Sequence, residues 1–240
     1  LYTMPTNYSA TERAEIIKQF QQPSAAASEQ ATKMYELTPE WPLASVAYGT
    51  RASIGKELKE IDIMVIGDGI EFAKVVAKQM GVPKIVPFHR FSTAHIPSKP
   101  IPIEIAAARK ETYSKDSRKP NKVTYTNLEG DLLRRDFTVN AMAVDLLPDN
   151  FGNLYDPYNG LRDLLSKQLI TPMDPDETFS DDPVRMMRAA YFSSKLKFKL
   201  CQPLINSMKK TSSRIEIVSA ERIRDEFIKI LKTEIISKGA

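Results

Sequence analysis

The stretch Lys59-Glu60-Ile61-Asp62-Ile63-Met64-Val65-Ile66 alternates acid and aliphatic before turning fully apolar. That period of two predicts a strand with Glu60 and Asp62 side by side on one face and Ile61, Ile63 and Val65 on the other. Paired carboxylates on a rigid strand repel each other and are costly to desolvate, so holding divalent cations is a good reason to place them there. Glu104 has a similar setting, alone among aliphatics in Ile103-Glu104-Ile105. Three such carboxylates converging could seat two magnesium ions for phosphoryl or nucleotidyl transfer. The competing reading is edge-strand acids that face water.

Two further segments are dense in polar groups. Arg134-Arg135-Asp136-Phe137-Thr138-Val139-Asn140 precedes an apolar run beginning at Met142. Its guanidinium forks suit triphosphate oxygens, and Asp136 and Asn140 can exchange hydrogen bonds with ribose hydroxyls. A salt-bridge cluster bracing a strand end would use the same residues. In Ser180-Asp181-Asp182-Pro183-Val184-Arg185-Met186-Met187-Arg188 the cap residues, the proline and the acids mark a helix start. Asp182, Arg185 and Arg188 are spaced by three and fall near one helical face. An Asp fixed beside an Arg can select a base by its hydrogen-bonding edge; an intrahelical ion pair is the alternative. Asp156, in Tyr155-Asp156-Pro157-Tyr158-Asn159-Gly160, is read as fixing a turn.

These groups need elements to hold them. Leu43 to Tyr48 reads as a strand, Gly49-Thr50-Arg51 as a turn, and Ile70 to Met80 as a helix stopped by Gly81. Short strands follow around Ile85 to Phe88, Thr93 to Ile96 and Glu104. Arg109 to Asn127 is charged, rich in hydroxyls and without periodicity, and is expected to be a mobile loop. Helices are expected at Asp181 to Leu196, Pro203 to Lys210 and Ser219 to Lys232, and less clearly at Thr11 to Gln22 and Ser28 to Leu37. The succession predicts an α+β fold: a mixed sheet with helices packed on it, then a helical part.

The composition sets bounds. At 240 residues the chain has room for one or two domains, and a formal charge of +4 favours an anionic partner. A single cysteine, Cys201, excludes an internal disulfide framework, and with only His89 and His95 beside it a zinc site is not expected. No apolar run is long enough to span a bilayer, so no membrane partner is expected. A reducing compartment follows: cytoplasm, or an organelle matrix if the start at Leu1 reflects trimming.

Taken together the segments resemble the class II tRNA nucleotidyltransferase and poly(A) polymerase family, in the form of bacterial CCA-adding enzymes. The likeness is carried by Glu60-Ile61-Asp62-Ile63, Ala108-Arg109-Lys110-Glu111 and Asp131 to Ala141. It continues through Asp156-Pro157 with Gly160, Phe179 to Pro183 with Arg185 to Ala189, and Glu221-Arg222-Ile223 with Glu226. The resemblance implies a nucleotidyltransferase head at 43–170 and a helical neck at 171–240, after a partly mobile lead-in at 1–42. The family's body and tail would lie beyond Ala240. It implies magnesium-dependent addition of CMP and AMP, from CTP and ATP, to the 3′ end of tRNA. Asp62 and Glu60 would hold metal. Arg109, Arg134, Arg135, Asp136 and Asn140 would meet the sugar and triphosphate, and Asp182 and Arg185, with Arg188, would read the base.

The chain also departs from that pattern. Glu60 stands where the family writes aspartate, one methylene longer. Of the glycines and Val-Arg-Asp that cradle the triphosphate, only Gly49 and Arg51 remain, and Tyr191 replaces a further arginine. Two other outcomes therefore stay open. One is a catalytically degenerate member that binds RNA within a larger RNA–protein assembly; the other is a poly(A) polymerase.

Overall fold

The computed structural model describes residues 43–47, 60–114, 117–145 and 153–233. The expected helices at Thr11 to Gln22 and Ser28 to Leu37, and the turn carrying Gly49 and Arg51, lie outside them. The chain begins with β1 (Leu43–Ala47), β2 (Ile61–Val65), helix α1 (Gly69–Gln79), β3 (Val86–Phe88), β4 (Thr93–Ile96) and β5 (Ile103–Ala107). With β8 (Ala143–Val144) and β9 (Leu154–Tyr155) these strands form a seven-stranded sheet in the order β3-β4-β5-β2-β1-β8-β9. Only β2 and β5 run parallel; the other neighbours are antiparallel, so the sheet is mixed as expected.

Helix α1 explains which face is core. Asp68 accepts from the amides of Ile70 and Glu71, a side-chain cap that starts the helix. Phe72, Ala73, Val76 and Ala77 then recur at helical spacing and are buried against Ile61, Ile63, Val65, Ile103 and Ile105. Gly69 permits this docking, since a Cβ there would sit 2.3 Å from the Ser92 carbonyl oxygen. The alternate strand positions, Asp62 and Glu104 among them, therefore face away from α1.

The segment expected to be a mobile loop is instead a hairpin. Strand β6 (Arg109–Ser114) pairs antiparallel with β7 (Ser117–Tyr125), Arg109 opposite Tyr125 and Glu111 opposite Val123, as a separate two-stranded sheet. A ribbon satisfied by its own backbone bonds needs no alternating apolar face, so the periodicity sought in the sequence was never required. Next come α2 (Leu128–Leu133), a 3₁₀ turn at Thr138–Asn140, and α3 (Gly160–Leu165). Asp156 accepts from the amides of Gly160 and Leu161, the turn-fixing part read from sequence.

The helical part holds α4 (Pro175–Asp181), α5 (Val184–Leu196), α6 (Gln202–Thr211) and α7 (Ala220–Leu231), with the small pair β10 (Gln168–Leu169) and β11 (Lys199–Leu200). The helix expected from Asp181 onward is thus corrected to begin at Val184. Asp182 has extended backbone angles because a residue before proline is driven out of the helical region. A second core joins Phe137, Val139 and Met142 to Phe179, Met186, Phe192 and Leu204, with Phe137 edge-on to Phe192. It clamps the chain after Arg135 onto α4, α5 and α6.

Candidate active site

The floor of the site is set by strand register. Asp62 lies opposite Glu104 on the parallel pair β2 and β5, and Glu104 lies opposite His95 on β4. Glu60 is exposed, one residue before β2 begins. Glu60, Asp62 and Glu104 all line one cavity of about 320 Å³. The Asp62 carboxyl is pushed up to about 6, first by burial and then by the charges of Glu60 and Glu104, with Arg135 opposing.

The three carboxylates expected to converge do line one cavity, and the charges of Glu60 and Glu104 act on Asp62, while among the described residues no group of three or more His, Cys, Asp or Glu side chains is set to hold a metal ion. Glu60 precedes β2, yet after burial its charge is the largest influence raising the Asp62 carboxyl. The donor set still suits magnesium, which takes one or two carboxylates and completes its shell with water and substrate phosphates. Asp62, its charge poorly matched, is the carboxylate that a cation would relieve most.

Opposite the acids stands a wall of three guanidinium groups, Arg109, Arg134 and Arg135, lining the same cavity. Their common anchor is Asp131, the first residue of the Asp131 to Ala141 segment. Its carboxylate is almost completely buried and accepts from the Arg109 amide at 3.1 Å, from Arg134 Nε and Nη2 at 3.0 and 2.6 Å, and from Arg135 Nη2 at 3.4 Å. Burial raises its pKa, but Arg134 and Arg135 outweigh that and hold it below the usual carboxylate range. The signal was available: Asp131 lies three and four residues before the two arginines on a helical stretch. Arg109 reaches the cavity from β6, donating to Glu111, to the Phe91 carbonyl and to Thr93 Oγ1.

Asp136 and Asn140 do not line this cavity. Asp136 is buried and fully engaged: Oδ1 accepts from the Phe137 amide and from Asn140 Nδ2, and Oδ2 from Arg188 at 2.6 and 2.7 Å. Asp182, Arg185 and Arg188 are each engaged by partners within the fold, and the Asp182 charge acts on Arg188. Arg185 is buried and donates to the Arg134 carbonyl at 2.6 Å and the Thr178 carbonyl at 3.5 Å. Asp182 caps Val184 and meets Arg222 at 3.4 Å. Tyr191 accepts from Lys195. Arg185 and Arg188 bind the backbone and the acid of the Arg134-Arg135-Asp136 segment, and so brace the wall from behind.

No helix among the described residues is long and apolar enough to cross a membrane. Comparison with known proteins agrees with the geometry. The family described as "Poly A polymerase head domain" matches residues 52–170, and that described as "Probable RNA and SrmB- binding site of polymerase A" matches residues 197–239. The chain is 44% identical over 147 residues to the A-adding tRNA nucleotidyltransferase of Aquifex aeolicus, covering 61% of this chain and 17% of that protein. It is 41% identical over 128 residues to the CCA-adding enzyme of Lactobacillus helveticus, covering 53% and 31%. Among solved structures, the Thermotoga maritima CCA-adding enzyme complexed with tRNA superposes with a TM-score of 0.74 at 28% identity, covering 94% of this chain and 51% of that one. The chain thus spans well under half of these two curated relatives and about half of the solved one. With both family descriptions matched in order and the acid floor and arginine wall in place, the chain belongs to the tRNA nucleotidyltransferase and poly(A) polymerase family.

Proposed function

We propose that the chain is the catalytic head and neck of a magnesium-dependent tRNA nucleotidyltransferase, transferring CMP and AMP from CTP and ATP to the 3′ end of tRNA. The observation that carries this reading is the raised Asp62 carboxyl facing three guanidinium groups across one cavity. Substrate with a triphosphate would meet a wall whose three guanidinium groups share the two carboxylates of Asp131 and Glu111, and Asp62 and Glu60, with Glu104 in the same cavity, would hold a divalent cation that supplies what the floor lacks. When bound, that cation would polarise the transferred phosphoryl group and lower the pKa of the attacking hydroxyl. Arg109, Arg134 and Arg135 orient the triphosphate for in-line attack by the RNA 3′ oxygen on the α-phosphorus, with pyrophosphate leaving. Asp131 keeps two of those forks aimed. Asp182, held only loosely by Arg222, is the acceptor left to read a base, while Arg185 serves by fixing Arg134.

The names of the relatives support tRNA as the acceptor and both C and A as the nucleotides. Incorporation of labelled CMP and AMP into tRNA lacking its 3′ terminus is the direct test. Incorporation that requires magnesium and disappears in Asp62→Asn is the expected result. A folded chain that binds tRNA and adds nothing would overturn the catalytic reading and leave the binding role.

A further inference from the structure

The register that sets the acidic floor continues beyond it. Glu104 lies opposite His95, and His95 lies opposite Val86 on β3; in the next row Ala106 lies opposite Thr93, and Thr93 opposite Phe88. Directly paired residues point to the same side of a sheet. Val86 and Phe88 therefore stand on the active-site face, two strands or about 10 Å from Glu104. They are 49% and 50% exposed. An exposed valine and an exposed ring thus stand together on the sheet face that carries Glu104.

We infer that Val86 and Phe88 form a stacking platform for the single-stranded 3′ end of the RNA acceptor, guiding its terminal bases towards the floor at Asp62 and Glu104. Two observations select this occupant. Pro87 has no N–H and interrupts the outer edge of the sheet, so another strand cannot add there and only the face is open to a partner. The surroundings are basic: Lys84 and Arg90 are exposed on either side, and the Arg109 guanidinium sits over the Phe91 ring at 4.7 Å while donating to Thr93. A ring for a base beside guanidinium groups for phosphates is the pairing that single-stranded nucleic acid recognises. The platform lies outside residues 197–239, where the family description locates RNA binding.

This inference rests on RNA being the acceptor, but its test reads binding and not transfer. A fluorescently labelled short single-stranded RNA is titrated by anisotropy against the full chain and against Phe88→Ala, Phe88→Leu and Phe88→Tyr, with ATP binding measured in parallel. Loss of one stacked base weakens RNA binding roughly tenfold in Phe88→Ala. Phe88→Leu follows it, Phe88→Tyr retains wild-type affinity, and ATP binding is unchanged throughout. Because the ring is half exposed, thermal unfolding should not move. Unchanged RNA affinity in Phe88→Ala overturns the inference, as does equal loss in ATP and RNA binding. So does a change in self-association with RNA affinity intact, which would assign the face to a second copy of the chain. Wild-type protein that binds RNA through Phe88 and transfers nothing would sink the catalytic proposal alone.

Discussion

The floor of the cavity and the brace behind its wall are both built on charged side chains and behave in opposite ways. At the floor Asp62 is surrounded by Glu60 and Glu104, and its carboxyl is pushed up to about 6. Behind the wall Arg185 is buried, yet its donors meet the Arg134 and Thr178 carbonyls. Arg188 is matched to Asp136, which raises its guanidinium above the ordinary value although burial works against it. A charge withdrawn from water is retained only when something compensates it. Where the fold supplies that compensation the group is architectural. Where it does not, the missing partner is a ligand, and the group is a site.

Removing the charge of one member from each region should give changes of opposite sign. Asp62→Asn is expected to lower nucleotide transfer by about 10³-fold or more, measured as labelled AMP incorporation. The same variant should be more stable than wild type at pH 8. The folded-state pKa of Asp62, about 6, lies above its ordinary 3.8, so the folded chain holds a proton that the unfolded chain releases between those values. Wild-type stability therefore falls as pH rises through that window and stays lower above it, by about 2–3 kcal/mol at most. Urea denaturation of both proteins at pH 3 and pH 8 checks the sign: the variant gains only at the higher pH. Transfer by wild type should fall as pH drops below about 6, because protonated Asp62 no longer attracts a cation. A variant no more stable than wild type at pH 8 would mean that the floor is already compensated.

Arg185→Ala should do the reverse. It leaves the Arg134 carbonyl unpaired and opens a buried site, at a cost of about 3 kcal/mol in urea denaturation, with activity lost through the shifted wall. Asp131→Asn sharpens the contrast, since Asp131 belongs to the architecture yet borders the site. The variant keeps an acceptor but loses the charge that gathers the Arg134 and Arg135 guanidinium groups, so triphosphate affinity should fall about tenfold while adenosine binding stays unchanged. Equal loss for both ligands would show that Asp131 only holds the fold. The smallest effect is expected from Glu60→Asp. Glu60 is exposed ahead of β2, so shortening it should alter magnesium dependence by only about two- to threefold, with a gain if its reach is what misplaces the carboxylate.

Much of the head could be read from local pattern. Alternation gave Ile61, Ile63 and Val65 as core and placed Asp62 on the opposite face, and helical spacing with a glycine stop delimited α1. The hairpin of β6 and β7 escaped because pattern reading looks for a buried face, while antiparallel pairing needs only backbone partners. The break at Asp182 was visible in Pro183 and was read as a cap within a helix start, when in fact it separates α4 from α5.

The sequence by itself determined which residues carry charge, which strand face each occupies and where chain reversals fall, because these follow from side-chain chemistry and from spacings of two to four residues. Tertiary structure alone decided which charges are answered. Arg185 finds the carbonyl of a residue 51 positions away, and Arg188 a carboxylate 52 positions away. Asp62 is given Glu104 as its strand neighbour by a register set across the intervening helix and strands. Electrostatic compensation depends on distance in space and on exclusion of water, and neither is encoded in any one stretch of chain.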